Sequence, residues 1–263
     1  MEYASRVKQI GIYYGKRDRE YKNSKGVVKT ILYTFFVSLF LLQICGSKLF
    51  KSEGGGADGS SYRYLMLICI CIFYGLFNSI ETVCNEREII KHEHRSGMYI
   101  SSYILGNVFF DFNICFIHAT VTWAVVTVRF FINIIGEEWF LIKIIGYWVT
   151  MLLVTFASDA MGLMVSSVVK NAYMAMKVMP FVLILQVGFA GIFMALPDPV
   201  SWISNLTLSK WGVTAINDIV FGSNYIPGDN DSFFTCWMAM LFMTVVFLVV
   251  SIIILQSVDK DER

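Results

Sequence analysis

The chain has 263 residues, 56% of them apolar and only 16% charged, where soluble domains carry roughly 25%. A water-soluble single domain and a disordered chain are both excluded. With 21 Lys and Arg against 20 Asp and Glu, a formal charge of +1 and a pI near 7.6, nothing marks a nucleic-acid binder.

The first 26 residues place Val7, Ile10, Tyr14 and Tyr21 at intervals of three, four and seven, with Lys and Arg between them. That spacing predicts an amphipathic helix over about Ser5 to Lys25, lying along the cytoplasmic surface. Such a helix serves either as a polybasic anchor on anionic lipid or as a docking helix for a cytoplasmic partner.

Six apolar runs follow, at Val27 to Leu49, Tyr64 to Val83, Tyr103 to Val128, Phe140 to Val168, Val178 to Leu196 and Phe234 to Leu255. Each suits a helix crossing roughly 30 Å of hydrocarbon, which takes about 20 residues. None alternates as the strands of a barrel would, so the expected fold is an all-α membrane protein with six transmembrane helices. Fifteen of the Lys and Arg fall before span one, in the second and fourth connections and in the tail, against six on the other side. Both termini are therefore expected in the cytoplasm. More than twenty polar residues precede the first run, so no cleavable signal peptide is expected. Cys45, Cys69, Cys71, Cys84, Cys115 and Cys236 lie in or at the ends of spans and read as small packing residues.

The second connection, Asn85 to Gly97, is charged and regular enough to form a short helix. Glu86, Ile90, Glu93 and Gly97 share a face, and Gly97 suits a helix C-terminus. No metal site is expected: His92 and His94 stand two apart, on different sides of a helix, without the His-Glu-x-x-His spacing. A solvated face remains the alternative to a docking element. Asn107, Asp111, Asn113, His118 and Asp159 are polar groups inside the spans, read as interhelical hydrogen-bonding groups ahead of a proton path. The connection 197–232 is long, yet Trp202, Leu206, Val213, Ile216 and Val220 keep helical phase, which predicts a re-entrant helical loop on the exterior side. Asn205-Leu206-Thr207 fits an N-glycosylation acceptor where a secretory pathway exists.

Glu86-Arg87, Glu93, Ser96, Gly97, Tyr99 and Ser101-Ser102-Tyr103 resemble the E-[KR]-x(5)-E-x-x-[SG]-G-x-Y signature of membrane domains of ABC transporters, ABC-2 type, G subfamily. The likeness continues in order through Ser158, Gly162, Asn171, Pro180, Phe189-Ala190-Gly191, Ser201 to Ser204 and Trp211 to Ile216, covering Lys16 to Phe221. Phe112 departs from it, standing where many relatives have Pro after the residue matched by Asp111. The chain also has no G-x-x-x-x-G-K-[ST] loop, the cradle for nucleotide phosphates, so it is not by itself an ATP-hydrolysing enzyme.

The resemblance implies a division of labour. Residues 1–26 form a cytoplasmic connecting helix, 27–256 a six-helix transmembrane domain with a coupling helix at 85–97 and an exterior re-entrant loop at 197–232, and 257–263 a cytoplasmic tail. Glu86, Arg87, Ile90, Glu93 and Gly97 would couple to an ABC ATP-binding subunit, which holds ATP and Mg; this chain binds no cofactor. Glu81 would pair with Arg17 or Arg19 of the connecting helix. Cys71, Tyr74 and Asn78 would line a substrate chamber against Leu183, Ile184 and Val187 across a dimer with a second copy or a paralogous membrane subunit. Ile192 and Phe193 would form an apolar exterior plug. The function implied is the membrane subunit of an ATP-driven exporter of lipophilic or amphipathic cargo, multi-pass in a plasma membrane of bacterial type. An ATP-independent channel or secondary transporter is the alternative; an intramembrane enzyme finds no nucleophile and base at useful spacing.

Overall fold

A computed structural model of the chain describes residues 5–45, 56–134, 140–192, 201–221 and 232–257. Its described residues are helical: α1 (Arg6–Asn23), α2 (Gly26–Cys45), α3 (Gly56–Ser79), α4 (Thr82–Arg95), α5 (Ile100–Ile134), α6 (Phe140–Val168), α7 (Ala172–Gly188), a 3-10 helix (Ser201–Leu206), α8 (Leu208–Phe221) and α9 (Phe233–Gln256). Among the described residues, five stretches are long and apolar enough to cross a membrane: Gly26–Gln43, Ser61–Arg95, Ile100–Val128, Lys143–Val168 and Phe233–Gln256. The second of these runs through the bend between α3 and α4.

The expected fifth span, Val178 to Leu196, is the exception. Its helix, α7, starts six residues early because Asn171 caps it, accepting from the Met174 amide at 2.9 Å. It ends at Gly188 after 17 residues, roughly 26 Å of rise, and residues 193–196 lie outside those described. The 258–263 tail also lies outside them.

α3 and α6 form the centre of the bundle, while α2 and α9 turn large apolar side chains such as Phe36, Phe40, Phe242 and Val245 outward. The two central helices approach closely at glycines. A Cβ on Gly75 would collide with Ser158 and the Thr155 carbonyl, and one on Gly162 with Ser79. Small residues let the backbones meet, as in tightly packed membrane helices. Ser79 then donates to the Asp159 carbonyl at 2.7 Å, and the Asn78 amide donates to the Asp159 carboxylate at 2.9 Å.

Within the connection expected to re-enter, the described part is the 3-10 helix followed by α8. α8 buries Leu208, Val213, Ala215 and Ile216, and its first amide donates to Gln186 of α7 at 2.7 Å. Trp202 and Leu206, expected on the same buried face, are exposed. They belong to the 3-10 helix, whose threefold repeat breaks phase with α8. Asn205 is exposed beside them, its side chain accepting from Lys210 at 2.7 Å.

Candidate functional site

α4 is a short helix with a well-defined stop. Gly97 takes a left-handed φ of 98°, its amide donates to the His94 carbonyl at 3.0 Å, and the Met98 amide donates to Glu93 at 3.1 Å. This pair of bonds is the Schellman closure, which the sequence expectation for Gly97 anticipates. Met98 folds back into a small apolar cluster with Ile90, Val83, Tyr103, Ile104, Leu163 and Leu255.

The other end of α4 is fastened to α6. The Val83 and Cys84 amides both donate to Ser166 Oγ, at 3.0 and 3.1 Å. Arg87 donates to the Val169 carbonyl at 2.9 Å, placing a cation on the negative end of α6. Arg87 is thus held by the carbonyls at the end of α6.

α1 lies against α4 and α5 through a polar face. Gln9 bridges to the end of α4, donating to the Gly97 carbonyl at 3.3 Å and accepting from the Tyr99 amide at 3.0 Å. Tyr13 donates to Glu93 at 2.6 Å, and Lys16 pairs with Glu86 at 2.6 Å. Glu86 takes a second bond from the Tyr103 hydroxyl at 2.7 Å, and the Tyr13 and Tyr103 rings meet edge to face, centroids 5.4 Å apart. A Cβ on Gly106 would sit 2.7 Å from Tyr13 Cβ, so this glycine sets how closely α1 rests on α5. Val7, expected on the inward apolar face, is 79% exposed, whereas Tyr14 and Tyr21 of the same expected stripe pack edge to face on Phe110 of α5; Gln9, Tyr13, Lys16 and Arg17 join them on the inward side.

Arg17 pairs with Asp111 of α5 at 3.0 Å and also donates to Thr82 at 3.4 Å. The expectation that it meets Glu81 is corrected. Glu81 stands at the bend before α4, whereas Asp111 is fully buried under α1 and a buried carboxylate needs a charged partner. Arg19 is exposed and reaches neither acid. Burial, the largest single influence, works against the Arg17 charge, but the charge and bond of Asp111, with Tyr103 and Glu86 nearby, together raise the pKa. Lys16 behaves likewise: burial opposes its charge, and the bond and charge of Glu86 more than restore it. Burial together with the Glu93 bond also raises the Tyr13 pKa, which keeps that hydroxyl a donor at neutral pH.

With Glu86, Arg87, Ile90, Glu93 and Gly97 all turned toward the rest of the chain, the open face of α4 is a different set. Asn85, Glu88, Ile89, His92 and Arg95 are exposed at helical spacing, and Ile89 shows 48% of its surface. Sequence reasoning missed this face. The one available signal was an isolated apolar residue amid charge, Ile89 beside Ile90, only one of which the bundle can bury.

The expected chamber residues separate onto two sides of α3. Leu183, Ile184 and Val187 of α7 meet Cys69, Ile70 and Phe73 around an apolar groove of about 500 Å³ that Gly188 completes. Cys71 faces inward and its carbonyl lies 3.5 Å from Ser158 Oγ. Tyr74 stacks on His118 of α5, centroids 4.6 Å apart and planes at 13°, and donates to the Thr34 carbonyl at 3.4 Å. Asn78 is committed to Asp159. One helical residue turns a side chain by about 100°, so within one chain 69, 70 and 73 face α7, while 71 and 74 turn into the bundle. Ile192 is half-buried against the main core and Phe193 lies outside the described residues.

A family model described as ABC-2 type transporter matches residues 16–221, and the chain belongs to that family. It is 23% identical over 220 residues, 81% of its length, to the broad substrate specificity ATP-binding cassette transporter ABCG2 of Bos taurus. The chain spans 33% of that relative's length.

Proposed function

We propose that this ABC-2 membrane domain is the transmembrane subunit of an ATP-driven exporter, working as a dimer of membrane subunits with a separate ABC ATP-binding subunit. The observation that carries the reading is the mounting of α4. A charged 14-residue helix is fastened to α1, α5 and α6 by hydrogen bonds and ion pairs while one stripe, centred on Glu88, Ile89 and His92, stays open. A solvated loop needs no such fastening. A lever that passes force from a motor to the bundle does, because a loose joint would absorb the stroke.

In this reading α1 and α4 lie on the cytoplasmic side with both termini, in line with the Lys and Arg bias. α7 supplies the fifth of the six spans, its 17 residues lying at the short end of what crosses a bilayer, and α8 belongs to the exterior re-entrant loop. The cargo is lipophilic or amphipathic, since the groove between α3 and α7 offers Ile70, Phe73, Leu183, Ile184 and Val187 and almost no polar surface. The plug of Ile192 and Phe193 would close the exterior end.

The test is to isolate the tagged chain from its native membrane and assay the complex. The reading expects a co-purifying subunit with a Walker-type phosphate loop, and ATP-dependent movement of an amphipathic dye into inverted vesicles. Dye movement driven by an ion gradient with no ATPase present would instead establish a secondary transporter.

A further inference from the structure

A second cleft lies around α3 from the α7 groove, on the side of α2 and α5. It encloses about 480 Å³ and is lined by Lys29, Thr30 and Tyr33 of α2, Tyr74, Phe77 and Asn78 of α3, and His118 of α5. Its walls are aromatic. Tyr33 meets Tyr74 edge to face at 5.8 Å, Tyr74 stacks on His118, and Phe77, stacked on Phe73 at 5.8 Å, leaves 51% of its surface open. The back is closed by His118 Nδ1 bonded to Thr34 at 2.6 Å.

The polar groups of this cleft are sorted. Asn78, His118 and Thr30 are already engaged, with Asp159, Thr34 and the Tyr21 hydroxyl respectively. Lys29 is exposed and has no acidic partner among the described residues. It sits in the first turn of α2, just beyond the corner at Lys25 where the polar helix α1 gives way to an apolar span. The cleft therefore has a cation at the membrane surface on the α1 side and an aromatic trough leading inward. Val28, Leu32 and Phe36 on the outer side of α2 are exposed beside it, so the trough opens toward lipid.

We propose that this cleft binds an anionic amphiphile drawn from the leaflet on the α1 side, with its phosphate or carboxylate head on Lys29 and its chain against Tyr33, Tyr74 and Phe77. The chemistry selects this class. A cationic amphiphile is repelled at the mouth, a soluble anion leaves the aromatic trough wet, and a zwitterionic lipid brings a second charge that Lys29 repels. The volume falls within the range of small-ligand sites, about 300 to 1,000 Å³. Occupancy would also press on Asn78, and so on its bond to Asp159 at the α3–α6 contact. None of this depends on which motor drives the chain.

The experiment uses the delipidated chain in neutral detergent and radiolabelled lysophosphatidic acid as probe. Saturable binding near one per chain is expected, at least tenfold weaker in Lys29→Gln, restored in Lys29→Arg, reduced in Phe77→Ala and unchanged in Lys177→Gln on α7. Lysophosphatidylcholine, which has the chain but no net charge, and glycerol 3-phosphate, which has the charge but no chain, should each bind at least tenfold more weakly. Melting temperatures for Lys29→Gln and Lys29→Arg should match the unaltered chain, since Lys29 is exposed. Equal binding of Lys29→Gln overturns the proposal. Equal binding of lysophosphatidylcholine reduces the cleft to ordinary lipid contact, and equal binding of glycerol 3-phosphate reduces it to a surface anion site; either also overturns it.

Discussion

Tyr13 of α1 donates its hydroxyl to Glu93 of α4 across 2.6 Å. The two residues stand 80 positions apart in the chain, and their bond ties the amphipathic N-terminal helix to the last turn of α4. A hydrogen bond to a charged group contributes about 1.5 to 3 kcal/mol. Tyr13→Phe keeps the ring against Tyr103 and removes only this bond. Thermal unfolding should then show destabilisation within that range, and Tyr13→Phe with Glu93→Gln should cost less than the two separate losses combined. Strict additivity would mean that the contact does not join the helices.

Arg17 and Asp111 should behave asymmetrically. Asp111 is fully buried, so Arg17→Gln leaves an uncompensated charge, a change that typically costs about 3 to 5 kcal/mol. Asp111→Asn removes the carboxylate, and the double variant Arg17→Gln with Asp111→Asn should recover much of the loss. The comparison is made on melting temperature and on the yield of folded protein in detergent. A double variant no better than Arg17→Gln alone would contradict the pairing.

Tyr74→Ala should act on stability. The ring is 1% exposed and stacked on His118, and truncating a buried aromatic costs about 3 to 5 kcal/mol. Cargo affinity per folded molecule should stay unchanged in this variant, whereas Phe73→Ala, which opens the α7 groove, should weaken it. The reverse pattern, a stable Tyr74→Ala with lost cargo binding, would return Tyr74 to the chamber.

These residues mark where the sequence is legible and where it stops. Helix existence follows from local information: the run of charge from Asn85 and the apolar stretches each fall on a helix and Gly97 terminates one, while the bounds of α3, α5 and α7 depart from the apolar runs by six to eight residues. Family membership was legible too, through the ordered set from Glu86 to Ile216. The facing of helices was not. Glu86 and Glu93 satisfy the same pattern whether they meet a partner subunit or α1, and only the packed bundle decides. The same holds for α3, where a shift of one residue exchanges Cys71 and Tyr74 for Ile70 and Phe73. Arg17 could be singled out as a partner for a buried acid, but choosing Asp111 over Glu81 required knowing that α1 crosses α5. The length of α7 depended on Asn171 capping it early, a polar residue that the hydropathy run passes over.

Topology gives an independent prediction. In a background without native cysteines, single cysteines at Ser60 and Asp229 should react with an impermeant reagent applied to intact cells, and one at Ser24 should not. The motive is the fifteen-to-six division of Lys and Arg. Labelling at Ser24 from outside would place α1 on the other face of the membrane.

The central claim is that the open stripe of α4 receives the motor while the inward stripe holds the helix in place, and ATPase turnover with the isolated complex tests it most directly. Ile89→Asp, with Glu88→Lys added, alters only exposed positions, so the chain should keep its melting temperature yet lose association with the ATP-binding subunit by at least tenfold, with cargo-stimulated turnover falling in step. Glu86→Gln should do the opposite, loosening α1 and lowering the melting temperature while the subunit still binds. If the Ile89 and Glu88 double variant binds and turns over like the unaltered chain, the open face of α4 is solvent-facing surface and the account fails.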